Sequence, residues 1–201
     1  MRNFLAVVSA AALLLLSGCA GMLGETGLRN ATEADLKPLH ANKTIYYKVV
    51  LHDFNMWGKP MDLSRPIYNW SHIGDHMNYI GEPMKSPDKY ALQFRDGYIK
   101  AVKEMLAEKG YSLVEADGAN QSGIYVEMRI APWRGIRLLR RTIMATEWDI
   151  TYPATAKPLV IYQWDTGRFL STLTQLSLDP PEEEAAALAK KVVETFLSGT
   201  P

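Results

Sequence analysis

Cysteine is almost absent from this chain. Cys19 is the one cysteine in 201 residues, so no intrachain disulfide can form and no multi-cysteine zinc site can be built. Long apolar runs are missing as well. The run from Phe4 to Leu16, broken by Ser9, falls short of the ~20 residues that a membrane-spanning helix needs. Excess charge of either sign is missing: 22 basic residues balance 22 acidic ones, which leaves no electrostatic footprint for nucleic acid. No Gly-rich phosphate loop follows a strand-like run, no nucleophile elbow surrounds a serine, and no Glu-x-x-His pair accompanies the histidines. There is no internal repeat and no low-complexity tract. The expectation is a non-enzymatic chain with no cofactor and no nucleic-acid partner.

What is present starts at the N-terminus. Arg2 supplies a positive charge, Phe4 to Leu16 an apolar stretch, and Ser17, Gly18, Cys19 and Ala20 small residues where a peptidase must fit the backbone. That is the pattern of an export signal. Leu16-Ser17-Gly18-Cys19 resembles a lipobox at all four positions. The resemblance implies a bacterial lipoprotein: residues 1–18 removed as a signal peptide, a diacylglyceryl thioether on Cys19, and a further acyl chain on the new amino group. Burial of each methylene contributes ~0.8 kcal/mol, so one chain anchors marginally and two or more anchor stably. Ala20 stands where an Asp would direct retention, and the resemblance implies sorting to the outer membrane with the domain facing the periplasm.

Residues 19–43 read as the lipidated cysteine and a tether, rich in Gly, Ala, Thr, Asn and charge without a sustained apolar period. The alternative is an arm docked near Leu36 and Leu39. Residues 44–201 read as a single domain, long enough for one core. Thr44 to Phe54 alternates Ile45, Tyr47, Val49 and Leu51 as a strand does. Pro87 to Lys109 reads as an amphipathic helix with Ser86 as its cap, Phe94, Tyr98, Val102 and Leu106 every fourth residue, and Gly110 as its stop. Strands are expected at 111–115, 124–130, 142–152, 159–164 and 169–176. A closing helix runs from Pro180 to Leu197, with Asp179 capping it and Glu182 to Glu184 against its positive end. Strands grouped between helices indicate an α+β fold: a largely antiparallel sheet of about five strands with two helices packed on one face.

Ala101 to Met128, a helix ending in Lys-Gly-Tyr, a short strand, an Asp/Gly/Asn turn and an alternating strand, is similar to small envelope lipoproteins with the N-terminal-of-TolB-like fold. The resemblance implies scaffolding or assembly roles and transfers no site residues.

Three segments are candidates for chemistry or contact. Asp165-Thr166-Gly167 matches the triplet of aspartic proteases, but a single copy between two strands reads as a hairpin turn. Residues 55–85 lack periodicity and hold Met56, Met61, Met77, Met84, His72 and His76, donors that suit soft metals, beside Trp57, Tyr68, Trp70 and Tyr79. Aromatic and Met side chains closing the segment over a sheet edge is the plainer reading, and Trp57 and Trp70 are then candidate partner contacts. Trp133, Arg134, Arg137, Arg140 and Arg141 surround Ile136, Leu138 and Leu139 at an expected hairpin end, a composition that binds anionic headgroups or an acidic protein face. The alternative pairs these arginines with Glu127, Glu147 and Asp149. The resulting expectation is a lipid-anchored accessory lipoprotein that contacts the membrane through Cys19 and an envelope protein through its domain. A small-ligand or metal-binding lipoprotein using residues 55–85 is the second reading.

Overall fold

The computed structural model describes residues 25–60, 77–118, 123–134, 142–153, 158–165 and 180–198. In chain order they form β1 (Glu25–Arg29), α1 (Glu33–Leu36) running into a 3-10 turn (Lys37–Ala41), β2 (Thr44–Pro60), β3 (Met77–Pro83), α2 (Lys89–Ala107), β4 (Ser112–Glu115), β5 (Ile124–Arg134), β6 (Thr142–Thr151), β7 (Leu159–Asp165) and α3 (Pro181–Leu197). The fold is α+β.

The sheet corrects the expected layout. Among the described residues it has seven strands in the order β1-β7-β6-β5-β2-β3, with β4 also paired to β2. It is mixed rather than largely antiparallel, and three α-helices accompany it rather than two. The physical reason lies in the path of the chain: β3 turns back antiparallel on β2, α2 carries the chain on to the level where β2 began, and β4 and then β5 set out from there alongside β2. β2 therefore has parallel neighbours on both edges over its first half, β4 from Thr44↔Ser112 and β5 from Ile45↔Ile124. Over its second half β3 takes over the β4 edge, antiparallel, from His52↔Pro83 to Pro60↔Met77.

The core sits on one face of the sheet. Ile124, Val126, Met128 and Ile130 of β5 alternate inward beside Trp148 and Ile150 of β6 and Ile161 of β7. α2 covers them with Phe94, Tyr98, Val102 and Leu106, all fully buried, and α3 with Leu188, Val192 and Phe196. Each such side chain contributes about 1.5–3 kcal/mol by leaving water. Where the helices cross, Gly97 is required: a Cβ there would stand 2.7 Å from the Cα of Glu182. α2 is capped by Asp88, whose carboxylate accepts from the Ala91 N–H at 2.7 Å, rather than by Ser86. It ends at Ala107, and Gly110, held at φ +77°, turns the chain towards β4.

Two stretches expected to be irregular are ordered. Residues 25–41, within the expected tether, form β1, α1 and the 3-10 turn, and Leu36 and Leu39 are fully buried in the main core. This is the docked-arm alternative, extended by a strand. Thr32 and Asp35 set it up as a capping box, with the Thr32 N–H donating to the Asp35 carboxylate at 2.7 Å. Within 55–85, β2 continues to Pro60 and β3 begins at Met77. Register shifts between His52 and Phe54, and again between Phe54 and Lys59, break the alternation that would have marked the strand. The expected strand at 169–176 lies outside the described residues.

Candidate functional site

The helix-free face of the sheet carries a dense charge cluster. Facing residues in neighbouring strands fall into rows: Arg129, Glu147, Tyr162 and Gly27 in one, Glu127, Asp149, Val160 and Arg29 in the next. Arg129 holds three carboxylates, with Nη2 at 2.6 Å from Asp149 Oδ2, Nε at 2.8 Å from Glu127 Oε1 and Nη1 at 3.6 Å from Glu147 Oε1. Arg29 reaches in from β1 to pair with Glu147, and its guanidinium lies 4.9 Å from the centre of the Tyr162 ring. Gly27 leaves the room for this, because a Cβ there would strike the Tyr162 hydroxyl.

Three carboxylates share two arginines on a surface that is only partly open to water. The side chain of Glu147 is 6% exposed and that of Asp149 18%. Burial, followed by the attraction of Arg129 and the repulsion of Glu147 and Glu127, leaves the Asp149 carboxyl pushed up to about 6. Burial also works against the Arg129 charge, but its three carboxylate neighbours outweigh it and hold that guanidinium more firmly protonated than usual.

Glu127, Glu147 and Asp149, the alternative partners for the arginines of 134–141, engage Arg29 and Arg129; the side chains of those other arginines lie outside what is described. The sequence alone places Arg29 in the tether and Arg129 on the polar side of a half-buried strand. The signal that could have found them is the i, i+2 repetition of Glu127/Arg129 and Glu147/Asp149, opposite charges on adjoining strands.

On the core face a second polar chain is fully satisfied. The Trp148 indole N–H donates to Tyr98 Oη at 2.8 Å, Tyr98 lies 3.0 Å from Thr146 Oγ1, and Thr146 donates to the Arg129 carbonyl at 2.9 Å. Since Thr146 gives its proton to that carbonyl, Tyr98 must donate to Thr146. Burial pushes the Tyr98 hydroxyl far above its usual range, so it stays neutral. At the arm, His40 packs edge-on against Phe196 at 5.1 Å between centroids, and its Nδ1 lies 2.6 Å from the Tyr111 hydroxyl. Burial, and then the Lys43 ammonium, hold its pKa below the ordinary imidazole value.

The residues expected to make contacts fall partly outside what is described: Cys19, Trp70, Arg137, Arg140 and Arg141 all do, as do His72 and His76. Trp133 and Arg134 end β5, where Arg134↔Thr142 is the last pair of the β5–β6 ladder. Trp57 lies in the upper half of β2. Asp165 ends β7, and the rest of the Asp165-Thr166-Gly167 triplet lies outside the described residues. An open cleft of about 630 Å³ between the start of α2, the middle of β2 and the end of β3 is lined by Asp53, Glu82, Met84 and Tyr90, among others. Among the described residues no three His, Cys, Asp or Glu side chains converge as a metal site, and no helix is long and apolar enough to cross a membrane.

No protein-family model matches the chain, and no curated protein does. Two solved structures with some likeness in shape are PelC dodecamers from Paraburkholderia phytofirmans. One, of a point variant, has 9% identity and a TM-score of 0.45, and the other 9% identity and a TM-score of 0.49. Each alignment covers 87% of this chain and 97% of that one. Neither bears on what this chain does.

Proposed function

We propose that the protein is a lipid-anchored periplasmic lipoprotein, held at the outer membrane, whose domain serves as a non-enzymatic accessory or scaffold for an envelope complex. The observation that carries this reading is Leu16-Ser17-Gly18-Cys19 behind an apolar stretch, with that cysteine the only one in the chain. An anchor of two or more acyl chains supplies location without a spanning helix. Support for a scaffold comes from how the polar groups are used. The buried charges brace strands β1, β5 and β6 against one another, and the Tyr98 chain ties α2 to the sheet. Contact with a protein partner falls to Trp57, Trp70 and the segment Trp133 to Arg141.

Metabolic labelling with a radioactive fatty acid, with intact mass of the mature protein, tests the anchor. The native chain should incorporate label and Cys19→Ala should not. An unmodified thiol on the mature native protein refutes the reading. Photo-crosslinkers at positions 57, 70 and 137 in cells test the scaffold role; an acylated protein that crosslinks to no protein from any of the three refutes it.

A further inference from the structure

β1 is lightly held, and its hold depends on charge. Among the described residues it lies at one edge of the sheet, with β7 as its single neighbour over five residue pairs. Of its described side chains, Leu28 packs against the main core, and it is only partly buried. Asn30 follows at φ 59°, a left-handed turn that asparagine tolerates, and Leu36 and Leu39 then pin the chain to the core. Residues 25–29 can therefore leave β7 about Asn30 while the rest of the arm stays docked.

What ties β1 down on the helix-free face is Arg29, through Glu147 and the ring of Tyr162. Without Arg29, the carboxylates of Glu127, Glu147 and Asp149 would share Arg129 alone. Repulsion is concentrated between Glu147 and Asp149, which face the same way on β6 and lie in hydrogen-bonding reach of each other. Asp149 Oδ1 is buried and finds no donor. A proton on Asp149, shared with Glu147, relieves the same repulsion that Arg29 relieves. The proton and Arg29 are thus two ways of neutralising one pair of carboxylates, and each weakens the hold on the other. The remaining titratable or charged groups that the described residues bring to this face are Tyr46, Lys48 and His52 on β2, two strands from β6, and Tyr125 on β5 in the row beyond Glu127.

We propose that β1 is a proton-released edge strand: when Asp149 takes up a proton shared with Glu147, the Arg29 clasp loosens and residues 25–29 part from β7. Docking brings a positive charge to the carboxylates and so lowers their affinity for the proton; release raises it. The Asp149 carboxyl is pushed up to about 6 with β1 in place, so β1 is held above that pH and loosened as pH falls through it. Global stability moves the other way, because the unfolded chain has no such crowding of carboxylates. The edge that β1 vacates, Val160 to Trp164 of β7, then offers unpaired backbone groups to another extended chain. The device lies wholly within the domain and is independent of acylation at Cys19.

Amide hydrogen exchange of the native protein, read by NMR and corrected for the intrinsic rate at each pH, tests this. Removing an opposite charge from beside a carboxylate strengthens its proton binding by about tenfold or more, so the β1 amides from Thr26 to Arg29 should lose roughly five- to tenfold in protection between pH 8 and pH 5. Amides of the β5–β6 ladder should lose none. Asp149→Asn should show the low β1 protection at both pH values. Protection in β1 that is unchanged or rises on acidification overturns the proposal. An equal loss on acidification in Asp149→Asn overturns it too, because the proton then acts elsewhere. The reciprocal measurement is the titration of the Asp149 carboxyl by carbon NMR in Arg29→Gln. Its midpoint should rise by about one pH unit over wild type, and a midpoint that does not move overturns the exchange between proton and Arg29.

Discussion

Asp149→Asn should stabilise the protein at neutral and alkaline pH, although it removes one partner of a 2.6 Å ion pair. The carboxyl is pushed up to about 6 from 3.8, so the folded state binds its proton more tightly than the unfolded chain does. Wild-type stability therefore gains from this group as pH falls through about 6 towards 4, and lacks that gain above. Each tenfold tighter hold on the proton corresponds to about 1.4 kcal/mol, which sets a ceiling of roughly 3 kcal/mol at pH 8. Partial exposure and the response of Glu147 and Glu127 reduce that, and about 1–2 kcal/mol is expected. Asparagine matches the protonated acid in shape, and Arg129 keeps two other carboxylates, so no buried charge is orphaned. For a domain of this size the gain is a rise in Tm of roughly 2–8 °C at pH 8. Thermal melts of both proteins from pH 4 to pH 8 should converge at the acid end, separate between about pH 4 and pH 6, and keep a constant gap above that. A variant less stable than wild type at pH 8, or a gap that does not change with pH, refutes the reasoning.

Tyr98→Phe should cost about 1–3 kcal/mol, because it strands the buried Trp148 N–H without an acceptor; urea melts showing no loss would contradict that chain of donors. Gly97→Val should wedge α2 from α3 at Glu182 and lower stability by more than the ~1 kcal/mol scale of helix propensity, read as a lower denaturation midpoint; an unchanged midpoint would mean the crossing gives way freely. His40 is held below its ordinary pKa, so docking of residues 33–41 should be favoured above about pH 6.5 and weaken as pH falls below it. Amide protection at Leu36 to Ala41, corrected for intrinsic exchange, should show this in wild type and not in His40→Asn; the same acid loss in the variant would clear His40 of the role.

Helices were legible because their period survives in the sequence: Phe94, Tyr98, Val102 and Leu106 mark α2, and Leu188, Val192 and Phe196 mark α3. So were β5, where Ile124, Val126, Met128 and Ile130 alternate with polar residues, and β6 and β7, which are strand-like runs. β1 was not. Five residues, one of them Gly27 and three of them polar, carry no apolar pattern, and its place is fixed by pairing with β7 more than a hundred residues away. Parallel pairing of β2 was hidden for a similar reason, since local sequence does not encode which strand lies alongside. The second half of β2 was lost to its own register shifts. Half of the charge cluster could be read from Glu127/Arg129 and Glu147/Asp149, but Arg29 could join it only once β1 existed.

β1 also decides how the molecule answers a pull. Tension on the segment ahead of Glu25 acts along the strand axis, and β1 lies antiparallel beside β7 over five residue pairs. The load is therefore carried in shear, shared by the whole ladder and by the Arg29–Glu147 pair, rather than peeling one bond at a time. A protein tugged through its amino terminus would keep its sheet closed until the entire strand slides.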